Sequence, residues 1–97
     1  MSEFEVFVFT DVGLDEAKKT LEQMGFTREV EGDYPHHAVL DVCANAFANE
    51  GTSHSQQTRI TLGVNVGEVV PLAILSQLQQ LIPDLEMVDA LDKPLQF

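Results

Sequence analysis

The sequence predicts an α+β domain in which four strands and two helices follow one another in the order βαββαβ. Three observations lead there. Stretches of apolar alternation and stretches of apolar three-and-four spacing succeed each other in that order. Glycine and proline stand at the joints, at Gly13, Gly25, Gly67 and Pro83. The chain has 97 residues, 44% of them apolar, which suits one core and a single domain over residues 1–97.

Residues 4–10 are rich in Phe and Val. Phe4, Val6 and Val8 alternate onto one face, and Phe7 and Phe9 onto the other. Apolar residues on both faces mark a central strand covered on both sides. Thr10-Asp11-Val12-Gly13 is a turn. Leu14, Ala17, Leu21 and Met24 then form one stripe of an amphipathic helix. Asp15 and Glu16 occupy its first turn, where the helix dipole favours negative charge. Gly25 stands where a left-handed residue closes a helix.

Residues 26–31 read as a short strand, and Glu31-Gly32-Asp33-Tyr34-Pro35 as a turn or bulged connection. Residues 36–47 fit two patterns. As a strand, Ala38, Leu40, Val42, Ala44 and Ala46 share a face. As a helix, Val39, Leu40, Cys43 and Phe47 share one, with Gly51 as terminator. Pro35-His36-His37 and the strand that follows favour the extended reading. Residues 49–57 form a polar loop or hairpin tip. Residues 58–66 alternate cleanly: Ile60, Leu62, Val64 and Val66 point one way, and Arg59, Thr61, Gly63 and Asn65 the other. A half-exposed strand is expected there.

The second helix is expected over residues 70–82, with Pro71 at its first position. Leu72, Leu75, Leu78 and Leu81 or Ile82 make its buried stripe, which Ala73 and Ile74 widen. Pro83 stops it. Residues 85–91 form the last strand, and Pro94 begins a short tail.

This order is that of a ferredoxin-like split βαβ pair: a four-stranded antiparallel sheet with both helices on one face. The opposite face then carries Arg59, Thr61 and Asn65, together with Phe7 and Phe9 or their strand neighbours. So much Phe needs a cover, supplied by a second copy, another protein or the polar loop folded back. A homodimer or higher assembly through that face is the expectation.

Sixteen carboxylates oppose five Lys and Arg, for a formal charge of −11. The charge is distributed: residues 1–37 carry nine acids and three bases, and residues 38–97 carry seven and two. Such a chain repels polyanions and attracts cationic surfaces. Direct nucleic-acid binding is disfavoured, because phosphate neutralisation needs basic clusters and Lys18-Lys19 is the only one. No apolar run reaches the length of a membrane span. Met1-Ser2-Glu3 lacks the basic start of a signal peptide. Cys43 is the single cysteine, so no intrachain disulfide can form, in keeping with a reducing cytoplasm.

No catalytic set is legible. His36, His37, His54 and Cys43 lack the tight pairing of structural zinc ligands. Adjacent histidines on a strand point to opposite faces, so His36 and His37 cannot share an ion there. No metal or cofactor is expected. Carboxylate pairs such as Asp15/Glu16 and Glu29/Glu31 read as solvated. The reading that remains is a non-catalytic binding protein whose acidic residues Glu29, Glu31, Asp33, Glu86 and Asp89, with Tyr34 as an apolar anchor, engage a basic surface on a protein partner. Inhibition of a nucleic-acid-handling enzyme fits such a surface.

Thr10-Asp11-Val12-Gly13-Leu14, followed by a helix ending in Met24-Gly25-Phe26, resembles the first half of an ACT regulatory domain over about a quarter of the chain. The resemblance implies, as a second reading, a small-molecule ligand near Asp11 and Gly13.

Overall fold

A computed structural model describes residues 2–95. Strand β1 (Ser2–Thr10) leads to helix α1 (Leu14–Gln23), then to β2 (Phe26–Arg28), β3 (His36–His37), β4 (Val42–Ala48), β5 (Thr58–Asn65), helix α2 (Leu72–Leu81) and β6 (Glu86–Asp89). The strands form one open antiparallel sheet in the order β2-β3-β4-β5-β1-β6.

The α+β class stands, but the sheet has six strands rather than four. The Gly32-Asp33 turn and Pro35 divide the chain after α1 into two short strands, β2 and β3, which lengthen the β4 side of the sheet. The extended reading of residues 36–47 holds in two pieces, β3 and β4, separated by a turn at residues 38–41.

Alternation decides which side of the sheet meets the helices. Val6, Val8, Val42, Ala44, Ala46, Ile60, Leu62, Val64 and Met87 form one buried cluster with Ala17, Leu21 and Met24 around α1 and with Ile74, Leu75 and Leu78 of α2. Each fully buried branched side chain contributes about 1.5–3 kcal/mol. The α1 stripe is as the spacing predicts, with Leu14 partly buried. In α2 the stripe is rotated: Ile74, Leu75, Leu78 and Ile82 are buried, while Leu72 and Leu81 are 58% and 47% exposed. The helix begins two residues later than expected, after Pro71 as its N-cap, and that entry angle directs Ile74 rather than Leu72 at the sheet.

Gly25 has φ of +106°, as a helix-closing glycine should. It also lets His37 in close, since a Cβ there would stand 3.0 Å from His37 Nε2. That nitrogen donates to the Met24 carbonyl at 3.1 Å, while His37 Nδ1 accepts from the amides of Val39 and Leu40. His37 therefore caps α1 and fixes the turn after β3.

The half-exposed expectation for β5 is corrected. Thr61 is 3% exposed, and Gly63 is buried along with the helix-facing residues. β5 lies in the middle of the sheet between β4 and β1, and loops cover its second face. Among the described residues, no helix is long and apolar enough to cross a membrane.

Candidate functional site

The face away from the helices carries Phe7 and Phe9 of β1, Cys43, Asn45 and Phe47 of β4, Arg59 and Thr61 of β5, and Val88 of β6, by alternation along the paired strands. A register shift between Phe4 and Val6 brings Phe4 opposite Gly63. Two loops fold over this face, one from the β2–β3 edge and one from the β4–β5 hairpin.

The first is residues 29–35. The Tyr34 ring lies 5.1 Å from Phe4 and 5.4 Å from Phe47, both tilted contacts. Arg59 continues the row, with its guanidinium carbon 5.4 Å from the Phe47 ring centre. Phe4 remains 40% exposed. Beside this ledge a groove of about 570 Å³ is lined by Glu29, Val30, Glu31, Asp33 and Pro35. Glu29 and Glu31 are exposed and form no hydrogen bond or ion pair with the described residues.

Asp33 orders this loop. Its Oδ1 accepts from the Tyr34 amide at 2.8 Å, and its Oδ2 lies 3.0 Å from His36 Nε2. Cys43 Sγ stands 3.9 Å from Asp33 Oδ1. His36 and Cys43 are direct partners across β3 and β4, so both side chains project on the same side of the sheet. One donor atom from each of Asp33, His36 and Cys43 falls within 4.8 Å of the other two.

The second cover is residues 49–57, the polar loop. Asn49 braces it by donating to the carbonyls of His54 and Gln56. His54 stacks on Phe9 with ring centres 3.9 Å apart and planes at 12°. Its Nε2 is 2.7 Å from Asp92 Oδ1, and its Nδ1 is 3.2 Å from Glu86 Oε1. The hydrogen bond to Asp92, opposed by partial burial and aided by the charges of Asp92 and Glu86, raises the His54 pKa above its ordinary 6.5. Asp92 reaches the ring from a turn in which its own φ is 62°, a left-handed conformation that Asp tolerates. A cleft of about 300 Å³ adjoins the ring, with Phe7, Phe9, Arg59 and Val88 in its lining. Among the described residues, Arg59 Nε and Thr61 Oγ1 are buried without a hydrogen-bond partner.

The predicted partner-binding residues therefore separate into two groups. Glu29, Glu31, Asp33 and Tyr34 adjoin β2 and β3, at one edge of the sheet; Glu86 and Asp89 lie on β6, at the other. The β6 carboxylates already have work inside the fold. Glu86 holds His54 and accepts from Gln56, and Asp89 accepts from the amides of Leu91 and Lys93. Asp11 is likewise engaged, since Gln57 donates from its amide to the Asp11 carboxylate and from its side chain to the Asp11 carbonyl. Gly13 is the N-cap of α1 with φ of −61°, and a Cβ there would meet nothing within 4 Å. The turn thus makes no demand for glycine at that position.

Asp84 escaped the sequence reading. It accepts from Thr10 Oγ1 at 2.8 Å and from the Asp11 amide at 3.1 Å, tying the end of β1 to the entry of β6. The Thr10 hydroxyl first, and then the Asp11 amide, hold its pKa below 3.8. Its partners lie more than seventy residues away in sequence, so no local pattern could reveal it. The Asp33–His36–Cys43 grouping also escaped, because it depends on the β3–β4 register.

The chain matches no family model, and neither a curated protein nor a solved structure is significantly similar to it.

Proposed function

We propose that this protein is a non-catalytic binding module that engages a basic surface of a protein partner through residues 29–35. In this reading, the contiguous strands β6-β1-β5-β4 with α1 and α2 form the ferredoxin-like arrangement, and β2 and β3 elaborate the other edge to carry the binding loop. The observation that supports the function is the adjacency of an aromatic ledge, Phe4–Tyr34–Phe47, to the exposed carboxylates of Glu29 and Glu31. Aromatic anchors inside a polar rim are the usual composition of a binding hot spot.

The physics of encounter follows from the charge. At −11 the chain attracts cationic surfaces, with a range set by a Debye length of about 8 Å at physiological salt. Glu29 and Glu31 steer the approach, and Tyr34 with the exposed edge of Phe4 supplies the apolar contact once water is expelled. A basic channel that ordinarily receives nucleic acid is the kind of surface such a module blocks.

The test is affinity capture from the native host with the wild-type chain and with Tyr34→Ala, at low and at high salt. A basic, nucleic-acid-handling partner is expected, retained at low salt, released at high salt and weakened by the Tyr34 change. A partner held equally at both salt concentrations and by both chains contradicts the reading.

A further inference from the structure

Asp33, His36 and Cys43 bring three different donor types together where the Tyr34 loop meets the sheet. From this geometry we infer a divalent transition-metal site, with Zn²⁺ as the ion it suits best, held by Asp33 Oδ, His36 Nε2 and Cys43 Sγ.

The donor set argues for the ion. A thiolate with an imidazole selects a borderline-soft cation, and all three donor types present are ones that zinc takes. Thiolate and carboxylate together supply two negative charges to a dication. The distances agree. Ligand atoms bound tetrahedrally at 2.0–2.3 Å lie roughly 3.3–3.6 Å from one another. His36 Nε2 lies 3.0 Å from Asp33 Oδ2 and Cys43 Sγ 3.9 Å from Asp33 Oδ1, on either side of that interval, and the three donors lie within 4.8 Å of one another, so a rotation of the Asp33 carboxylate with a small closing of the thiol and imidazole admits an ion.

Two further features favour it. The site is anchored on one side by the cross-strand pair His36 and Cys43, whose positions β3 and β4 fix. Cys43 is fully buried, while the side chain of Asp33 is 26% exposed and lines the groove that also holds Glu29 and Glu31. A cation thus has an anionic approach from the Asp33 side, and a solvent molecule from the groove can take the fourth position. A bound ion would pin the turn that presents Tyr34, although the site does not depend on any protein partner.

Cobalt(II) titration of the full chain tests the inference, because a cobalt–thiolate bond gives a near-ultraviolet charge-transfer band. One equivalent of Co²⁺ should produce that band with the strong visible absorption of a tetrahedral ion, and Zn²⁺ should bleach both. Cys43→Ser should abolish the near-ultraviolet band. His36→Gln and Asp33→Asn, which leave the buried position intact, should each weaken Co²⁺ binding at least about tenfold. Zn²⁺ should raise the melting temperature of the wild-type chain more than that of either variant. Absence of the band at excess Co²⁺ overturns the site. A band that His36→Gln and Asp33→Asn leave unchanged also overturns it, because the thiolate alone would then be capturing the ion.

Discussion

On one side of the sheet, α1 and α2 reduce Val8, Ile60 and Leu62 to zero exposure with side chains that have no polar atoms. On the other side, two loops lay Tyr34 across Phe4 and Phe47 and His54 across Phe9, and each loop is held by carboxylates. The first face is stabilised by area removed from water, which is indifferent to pH and only weakly sensitive to salt. The second depends on directional contacts among charged and aromatic groups, and so responds to both. The proposed recognition uses the second face, where the covering segments can be altered without dismantling the core.

The contrast can be broken most forcefully on the helix side. Leu78 is fully buried, and Leu78→Ala should cost about 2–5 kcal/mol in chemical denaturation, nearly independent of pH between 5 and 9. A loss below about 1 kcal/mol would mean that α2 is not an integral part of the core. On the loop side, Tyr34→Ala should cost less, about 1–2 kcal/mol, because the ring is half-buried and makes two tilted aromatic contacts. Hydrogen exchange should quicken around residues 29–35 and stay slow in β1 and β5. Quickening throughout the sheet would show that the loop is part of the global fold rather than a cover over it.

The smallest expected effect is the one with a sign to check. Folding raises the His54 pKa above 6.5, so the clamp stabilises the fold fully below that value and loses its contribution as pH rises through the folded-state pKa. His54→Gln should therefore lower stability by about 1 kcal/mol at pH 5.5 and by much less at pH 9. Asp84 acts in the opposite sense. Its pKa is depressed below 3.8, so its contribution is present above that value and disappears as pH falls through the folded-state pKa. An His54→Gln penalty that grew with pH would contradict the clamp.

The same division separates what could be read in the residues from what could not. The helix-facing half was legible because periodicity reports burial directly: the α1 stripe and the alternation of Ile60, Leu62 and Val64 all stand. The α2 stripe was misread by part of a turn, because six leucines and isoleucines crowd residues 72–78 and 81–82 and only the entry angle at Pro71 selects among them. The strand count was misread because the short strand at residues 26–31 was not placed in the four-stranded sheet, and because residues 36–47, read as one extended stretch, break into β3 and β4. On the loop side, composition foretold that Phe7 and Phe9 need a cover, and the polar loop supplies one for Phe9 through His54, while Phe7 stays partly buried in the adjoining cleft. Which groups would meet there was not legible. His54 reaches Asp92 across thirty-eight positions, and His36 meets Cys43 only through the strand register.

The confinement of Glu29 and Glu31 to one edge of the sheet supplies the most direct test. Glu29→Lys/Glu31→Lys and Glu50→Lys/Glu68→Lys change the net charge equally, and all four glutamates are exposed. Partner capture from the native host should be lost with the first pair and retained with the second. Equal loss with both pairs would mean that total charge governs binding and that residues 29–35 are not its site.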